Sequence, residues 1–366
     1  MNQETKYIVI GSNCFTGSHI VDYLLSKQSA SKKCQVIGIS RSPEKPPLFL
    51  PYRNRNYQNF RFVQLDIVRE HHRLIQLCDE FQPHFIINVA ALSEVYQSHL
   101  TPLEYYETNT LAVVRLADAL KTRSWLERYL HISSAEVYGD CNTAVKEDVL
   151  VNPSTPYAAS KAAADLHLLT SAKQFGFPVT LVRSTNVYGK HQQLYKIIPR
   201  TILNLKMGKS IGLHGGGRAI RPFIHITDVC RGIEKILECV NPSTIYHFST
   251  THDWPIREVV RHLCLRMGKD FAKVTELAKD RALQDQRYWL DTKKSEHELG
   301  WKPEISFEDG IEEVIHWVEE NFARLKGEPL QYIHPFATPH KSEITTKTPH
   351  RKNSLRFPSV NTPVLN

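Results

Sequence analysis

The sequence lacks any apolar run near the roughly 20 residues needed to cross a bilayer. It also lacks an apolar signal segment, since Met-Asn-Gln-Glu at the start leads straight into a predicted strand. The 366 residues are 41% hydrophobic and 23% charged, which fits one large domain or two closely joined ones with a sizeable core. We therefore expect a cytoplasmic location and no membrane partner.

Cys-x-x-Cys spacing is absent too. The seven cysteines are scattered and odd in number, so we expect reduced thiols rather than a disulfide or metal framework. The formal net charge is +8, but no Lys/Arg block dominates the folded part. We expect no nucleic-acid partner and no metal, because phosphate-bearing small ligands account for local arginines equally well.

A glycine turn near the N-terminus predicts a dinucleotide site. A short apolar strand at 7–10 is followed by Gly-x-x-x-x-x-Gly and then by apolar residues at helical spacing. Strand, turn and helix N-terminus in that order form a cradle for a pyrophosphate, although a plain structural turn is the alternative. The candidate cofactor residues are Gly11, Asn13, Cys14, Phe15, Thr16 and Gly17. Cys14 stands where a middle glycine is usual, and its Cβ should obstruct close approach of the phosphate.

The strands that follow add further cofactor candidates. The second strand, 35–39, ends in Ser40 and Arg41, without the acidic residue that selects NAD, so we expect NADP to be preferred; an ordinary polar loop is the alternative. The third strand, 60–65, is followed by Asp66 and Ile67, which are placed for the adenine unless the aspartate only caps a helix. Ala90, Ala91 and Ser93 are further candidates at the end of the fourth strand, 84–90. The last candidate, Asn109, lies in the amphipathic run 103–120.

Two later motifs carry the chemistry. Ser134 and Glu136 follow the fifth predicted strand, and Tyr157 and Lys161 lie four residues apart on a predicted helix. That spacing puts phenol and ammonium on one face about 6 Å apart, which should lower the pKa of Tyr157 and make it a usable base. Ser134 is placed to bind the same substrate hydroxyl, and Glu136 adds a second proton-transfer group. A Tyr-x-x-x-Lys pair alone would usually be a solvated helix face.

The motifs together resemble extended short-chain dehydrogenase/reductases of the nucleotide-sugar epimerase/dehydratase branch, most of all dTDP-glucose 4,6-dehydratases. The resemblance runs from Tyr7 to about Asn321, and its main matches are 133–140 and 156–165. It implies an α/β fold, with a Rossmann doubly wound parallel sheet and a smaller, interleaved C-terminal substrate domain. We accordingly expect a dinucleotide domain at 1–187, a mainly substrate domain at 188–326, and a largely disordered basic tail at 327–366.

The resemblance also implies roles for individual residues. The substrate candidates are Ser93, Ser134, Asn186, Lys196, Arg221 and Arg281. The arginines stand where the family grips the diphosphate of the substrate. The catalytic candidates are Ser134, Glu136, Tyr157 and Lys161. A homodimer through the helices around 103–120 and 160–174 is implied as well.

The implied activity is an NAD- or NADP-dependent 4,6-dehydration of a nucleoside-diphosphate hexose, with the cofactor tightly bound and recycled. Ala135 departs from the family, because dehydratases usually carry an acidic residue or a serine there. The Ser134-Ala135 pair is also typical of 4-epimerases, so a 4-epimerase or a nucleotide-uronate decarboxylase is an alternative. A non-catalytic dinucleotide sensor or scaffold is the alternative from another class. The nucleotide base and the hexose stay open.

Overall fold

A computed structural model describes residues 4–28, 33–240, 244–279 and 285–334. The strands of this part are β1 (Thr5–Ile10), β2 (Cys34–Ser40), β3 (Phe60–Gln64), β4 (Phe85–Asn88), β5 (Arg128–Ile132), β6 (Val179–Ser184), β7 (Asn186–Tyr188), β8 (Ile211–His214), β9 (Ile220–His225), β10 (Ile245–Phe248), β11 (Asp253–Pro255) and β12 (Thr275–Ala278).

The helices of the same residues are α1 (Phe15–Ser26), α2 (His71–Phe81), α3 (Val95–Leu100), α4 (Pro102–Tyr106), α5 (Ala112–Leu120), α6 (Pro156–Phe175), α7 (Ile197–Lys206), α8 (Ile226–Glu238), α9 (Ile256–Arg266), α10 (Phe271–Val274), α11 (Lys293–Leu299), α12 (Phe307–Glu320) and α13 (Phe322–Leu325). A π-helical turn, Glu107–Leu111, joins α4 to α5. The region 43–59, expected to be irregular, contains a short 3-10 turn at Pro51–Asn54.

The main sheet has seven parallel strands in the order β10-β6-β5-β4-β1-β2-β3. Its central strands are apolar on both faces, as in β1, where Ile8, Val9 and Ile10 are at most 1% exposed, because helices cover both sides of a parallel sheet. The strand order reverses between β1 and β4, which opens a crevice at their carboxyl ends. The predicted doubly wound α/β fold is confirmed.

A smaller layer carries the other side of the site. It consists of a three-stranded sheet, β11-β9-β7, and a two-stranded sheet, β12-β8. Helices α7, α9 and α12 pack on it around a hydrophobic cluster that includes Ile202, Val260 and Trp317. Strand β10 lies in the main sheet although it follows β9 in the chain, so the two layers are interleaved. The expected division at 188 stays a prediction.

Residues up to Tyr332 form one compact unit. Leu330, at the start of the predicted tail, is half-buried against the cluster of the smaller layer. The rest of the tail, 335–366, lies outside the described residues. Among the helices that the structure does describe, none combines the length and the apolar character that crossing a membrane requires.

Candidate active site

The glycine turn after β1 is packed too tightly for any residue but glycine at two positions. Gly11 has a φ of 95°, and a Cβ there would lie 2.7 Å from the amide nitrogen of Ala90. A Cβ on Gly17 would overlap the carbonyl oxygen of Gly11. Cys14 caps α1, its thiol accepting the Gly17 N–H at 3.3 Å. The hydroxyl of Ser12 is buried with no hydrogen-bond partner among the described residues. This cradle at a helix N-terminus fits the diphosphate of a dinucleotide.

Asn13 ties the glycine turn to the loop after β2. Its N–H donates to Ser40 Oγ at 3.0 Å, and its Oδ1 accepts the N–H of Lys45 at 2.8 Å. Asn13 and Ser40 bind each other, so both residues support the glycine turn. A direct contact of either residue with the cofactor stays a prediction. Phe15 and Thr16 form the first turn of α1, with Phe15 buried.

Arg41 and Asp66 lie at the neighbouring strand ends, as expected. Burial lowers the pKa of Arg41, and the charge of Asp66 opposes that shift. The Asp66 carboxylate accepts the N–H of Val68 at 2.9 Å, which closes a local turn. Ile67 is half-buried beside it. A contact of Asp66 with an adenine ribose therefore stays a prediction alongside this structural role.

The residues after β4 form the next wall of the crevice. Ala90 and Ala91 are half-buried, and Ser93 is exposed at the ligand edge. Asn109 takes a supporting position instead of an open one: it is fully buried and its amide binds both main-chain groups of Leu92, at 2.8 and 3.0 Å. The π-helical turn places this amide against β4, which sequence spacing alone could not show.

Tyr157 and Ser134 meet at the carboxyl end of β5. Thr155 caps helix α6, its side chain accepting the N–H of Ala158 at 3.1 Å, and Tyr157 lies in the first turn. Ser134 Oγ accepts the N–H of Glu136 at 3.2 Å, and Ser134 lowers the pKa of Tyr157. The serine thus joins the helix that carries the phenol to the turn that carries the carboxylate.

The expected lowering of the Tyr157 pKa is wrong for the protein alone. Burial raises it above its usual range, and the charge of Glu136 raises it further; the hydrogen bond from Ser134 opposes both. Lys161 Nζ instead donates to the carbonyl oxygen of Ile132 at 2.8 Å and lies 3.0 Å from Nε2 of His131. Burial lowers the pKa of Lys161 to about 8 and that of His131 well below its usual value. His131 therefore accepts from the lysine as a neutral ring.

Glu136 presents a carboxyl group to the substrate side of the site. Burial raises its pKa to about 7, against the opposing charge of Arg221 and a hydrogen bond from Tyr288. Its Oε2 is buried and has no hydrogen-bond partner among the described residues. A carboxyl group that is half ionised near neutral pH suits proton transfer in both directions.

A buried polar network holds the two catalytic segments together. Asp165 of α6 accepts from the Nε of Arg183 at 2.9 Å and from Ser133 Oγ at 2.9 Å. Arg183 reaches Tyr138, in the turn that carries Glu136, with 2.5 Å between Nη1 and the phenol oxygen. Because losing one partner of a buried ion pair costs several kcal/mol, this pair fixes α6 against that turn.

A cleft of about 650 Å³ opens beside Glu136 and separates the two layers. Four of the predicted substrate residues line it: Ser93, Asn186, Lys196 and Arg221. Lys196 Nζ lies 3.9 Å from a carboxylate oxygen of Glu94. The Nη atoms of Arg221 donate to carbonyl oxygens of Ile220, Asp285 and Gln286, so its contact with a substrate diphosphate stays a prediction. Arg281 lies outside the described residues.

Several residues of this cleft have no site role in the sequence analysis. Asp285 and Tyr288 line it and are 3% and 4% exposed. Leu330 and Tyr332 line it from the predicted tail, and the Tyr332 ring packs edge-on against Tyr195 at 5.4 Å. These residues are distant from Glu136 in the chain, so sequence spacing could not place them in its cleft.

The site can now be compared with known proteins. The model of the GDP-mannose 4,6 dehydratase family matches residues 8–314. The chain belongs to this family. The human dTDP-D-glucose 4,6-dehydratase is 31% identical over 74% of this chain and 78% of its own length. A trifunctional UDP-glucose 4,6-dehydratase of Arabidopsis thaliana is 31% identical over 72% of this chain, which spans only 40% of that longer protein.

Solved structures of the family share the fold. The dTDP-glucose 4,6-dehydratase of Streptomyces venezuelae, solved with NAD bound, is 30% identical, with a TM-score of 0.79. The match covers 87% of this chain and 98% of that one. The chain is therefore an enzyme of the extended short-chain dehydrogenase/reductase type, as the sequence motifs predict.

Proposed function

We propose that the protein is a 4,6-dehydratase that converts a nucleoside-diphosphate hexose to the 4-keto-6-deoxyhexose. The observation that carries this proposal is the carboxyl group of Glu136, which lies in the cleft next to Tyr157 with a pKa raised to about 7. Inverting C4 needs proton transfer at the C4 oxygen alone. Removing water across C5 and C6 needs a second group that takes the C5 proton, and Glu136 is suited to that task.

The cradle fits a nicotinamide dinucleotide, and we propose NAD or NADP as the bound, recycled cofactor. When bound, the oxidised dinucleotide supplies the hydride acceptor and a positive charge. In the protein alone Tyr157 keeps its proton, because burial and the charge of Glu136 raise its pKa. Added positive charge favours the phenolate, which then takes the proton of the C4 hydroxyl. Ser134 holds that hydroxyl, and Lys161, bonded to Ile132 O and His131, stands one helical turn below.

We further propose that NADP is preferred, although the solved relative named above holds NAD. No acidic side chain ends β2, and Arg41 lies there beside Asp66. A guanidinium matches a 2′-phosphate, and such a charge-assisted contact contributes about 1.5–3 kcal/mol. Arg41→Ala should weaken NADPH binding at least about tenfold and leave NADH binding nearly unchanged, as measured by fluorescence titration. Arg266→Ala, an exposed change on α9, is the control. Tenfold tighter binding of NADH by the unaltered protein would overturn the preference.

A 4-epimerase is the second candidate, and Ala135 favours it. This side chain is 1% exposed and cannot donate a proton, so the acid expected for the departing hydroxyl is missing at its usual place. Mass spectrometry of products from a panel of nucleoside-diphosphate hexoses and uronates in heavy water separates the candidates. The dehydratase gives a product lighter by one water with deuterium at C5. A C4 epimer of unchanged mass, or loss of carbon dioxide from a uronate, would establish the other reaction.

We propose a homodimer formed through the helices around 103–120 and α6. Apolar side chains of this face are exposed, with Leu103 76%, Leu111 46% and Leu166 54% accessible, and such a patch indicates a binding surface. Leu166→Glu should convert a dimer to a monomer in light scattering, whereas Leu265→Glu on α9 should not. A monomeric unaltered protein would contradict the proposal. We also propose a cytoplasmic location, which suits seven free cysteines.

A further inference from the structure

Ala135 leaves the dehydration step without its expected acid, and the nearest replacement lies on a distant segment. Tyr288 belongs to the small apolar cluster that buries Ala135, together with Val137 and Leu290. Tyr288 and Glu136 nevertheless both line the cleft. The tyrosine ring therefore packs with the alanine, and the same residue lines the cleft beside the candidate carboxyl group.

The Tyr288 hydroxyl is held by a carboxylate on its own loop. It donates to Oδ2 of Asp285 at 3.1 Å, and both residues are almost fully buried. Arg221 fixes this loop from the other side: its Nη2 donates to the Asp285 carbonyl oxygen at 2.6 Å. Its guanidinium carbon lies 4.3 Å from the centre of the Tyr288 ring, a favourable cation–π distance. The hydroxyl is thus positioned by two independent contacts.

The Tyr288 hydroxyl acts on two carboxyl groups in this arrangement. It donates to Asp285, and it lowers the pKa of Glu136, which burial and the charge of Asp285 raise. When Glu136 carries a proton, it can donate to the Tyr288 oxygen while Tyr288 donates onward. The three groups thus form a short path along which a proton moves.

We propose that Tyr288 protonates the departing C6 hydroxyl in place of an acid at position 135, and that Asp285 orients the Tyr288 hydroxyl for this transfer. The step rests on the proposed dehydratase function. Once C4 is a ketone, Glu136 takes the C5 proton, and the C–H electron pair is held as the enolate of that ketone. The same pair then forms the C5=C6 double bond as the C6–O bond breaks. The oxygen leaves with its electron pair and takes the Tyr288 proton, so water is released. Glu136 then returns its proton to the tyrosinate, and the groups regain their starting charges.

The test compares Tyr288→Phe with Tyr23→Phe. Tyr23 is the matched control, because its hydroxyl also binds a carboxylate, Glu234 at 2.7 Å, and neither residue lines the cleft. Single-turnover mixing with the substrate follows oxidation at C4 by absorbance, exchange at C5 in heavy water, and release of the 6-deoxy product. We expect Tyr288→Phe to keep the first two and slow the third at least about 100-fold, so that the 4-ketohexose accumulates. Tyr23→Phe should keep all three.

Asp285→Asn tests the positioning role through a pH profile. The charge of Asp285 raises the pKa of Glu136, so its removal should lower that pKa and move the rise of activity to lower pH. Elimination should also become slower, because the Tyr288 hydroxyl loses the group that orients it. Tyr288→Phe should shift the Glu136 pKa upward in the protein without substrate, as measured by carbon NMR of the carboxyl group. Unchanged values in both variants would overturn the three-group path.

Other outcomes are equally decisive. If Tyr288→Phe keeps more than about a tenth of the elimination rate, or loses C5 exchange to the same extent, Tyr288 is not the acid. If Glu94→Gln, on the opposite side of the cleft, shows the selective loss instead, the acid is Glu94. An unaltered protein that oxidises C4 but never loses water overturns the dehydratase function itself, and this assignment with it.

Discussion

Replacing Glu136 by glutamine should stabilise the protein, and only above the pH at which the carboxylate ionises. Burial raises the pKa of Glu136 from 4.5 to about 7, so the folded state binds the proton more tightly than the unfolded one. This tighter proton binding stabilises the folded state fully below pH 4.5, and the stabilisation is lost as the pH rises through 7. The Glu136 carboxylate is thus a destabilising group at neutral and higher pH.

The magnitude follows from the same shift. A pKa difference of this size corresponds to at most about 3 kcal/mol above pH 7, and to less than about 1 kcal/mol at pH 5. For a chain of this length about 2–3 kcal/mol changes Tm by roughly 3–4 °C. Glu136→Gln should therefore raise Tm at about pH 8.5 by roughly 3–4 °C more than at about pH 5. The comparison across pH removes any packing cost of the amide, since that cost does not titrate.

Thermal unfolding by circular dichroism at the two pH values measures this difference, with no substrate required. Glu313→Gln is the control of opposite sign: His225 and Lys190 lower the pKa of Glu313 to about 2, so its removal should destabilise the protein above pH 4.5. A Glu136→Gln difference that is the same at both pH values would refute a raised pKa. The assignment of Glu136 as the proton-transfer group of neutral pH would then lose its physical basis.

Three further predictions concern other parts of the site. Tyr157→Phe should reduce turnover at least about 100-fold while dinucleotide binding in a fluorescence titration stays within twofold, and a variant with more than a tenth of the rate would reject Tyr157 as the base. His131→Phe removes the acceptor 3.0 Å from Lys161 Nζ and should lower kcat about tenfold with little change in KM, since a buried hydrogen bond contributes about 1 kcal/mol; an unchanged kcat would contradict this role. Ending the chain after Gly327 removes Leu330 and Tyr332 from the cleft and should raise KM for the sugar nucleotide about tenfold. Ending the chain after His334 keeps both residues and should leave KM unchanged. Equal KM values for the two truncated proteins would show that residues 328–334 are dispensable.

The parts of the fold that local patterns determine were predictable. Each strand of the main sheet up to β5 ends within about two residues of its predicted position, because buried parallel strands are short apolar runs followed by turns. The glycine turn was predictable as well. A positive φ at Gly11 and close packing at Gly17 both require glycine, and two glycines at this spacing after an apolar strand can be recognised in the sequence. Tyr157 and Lys161 lie on one helix, so their proximity could be predicted from their spacing.

The partners of these residues were not predictable, because they come from other strands and loops. The ammonium of Lys161 lies against Ile132 and His131, and its spacing from Tyr157 gave no sign of either contact. Burial, and after it the charge of Glu136 across the site, raise the pKa of Tyr157 and so reverse the sign of the expected shift. Helical spacing shows which side chains share a face; it does not show how strongly each is buried or which charge lies opposite.

Two carboxyl groups of the site affect when Tyr157 can lose its proton. Glu136 and Asp165 both raise the pKa of Tyr157 through their charge, so a proton leaves the phenol less readily when either carboxyl group is ionised. Lys161 instead donates to Ile132 O and lies 3.0 Å from His131 Nε2. The raised pKa favours the protonated form of Tyr157, which donates a proton. A positive charge brought to the crevice between β1 and β4 favours the phenolate, so in the proposed mechanism we expect cofactor binding to precede proton loss from the C4 hydroxyl.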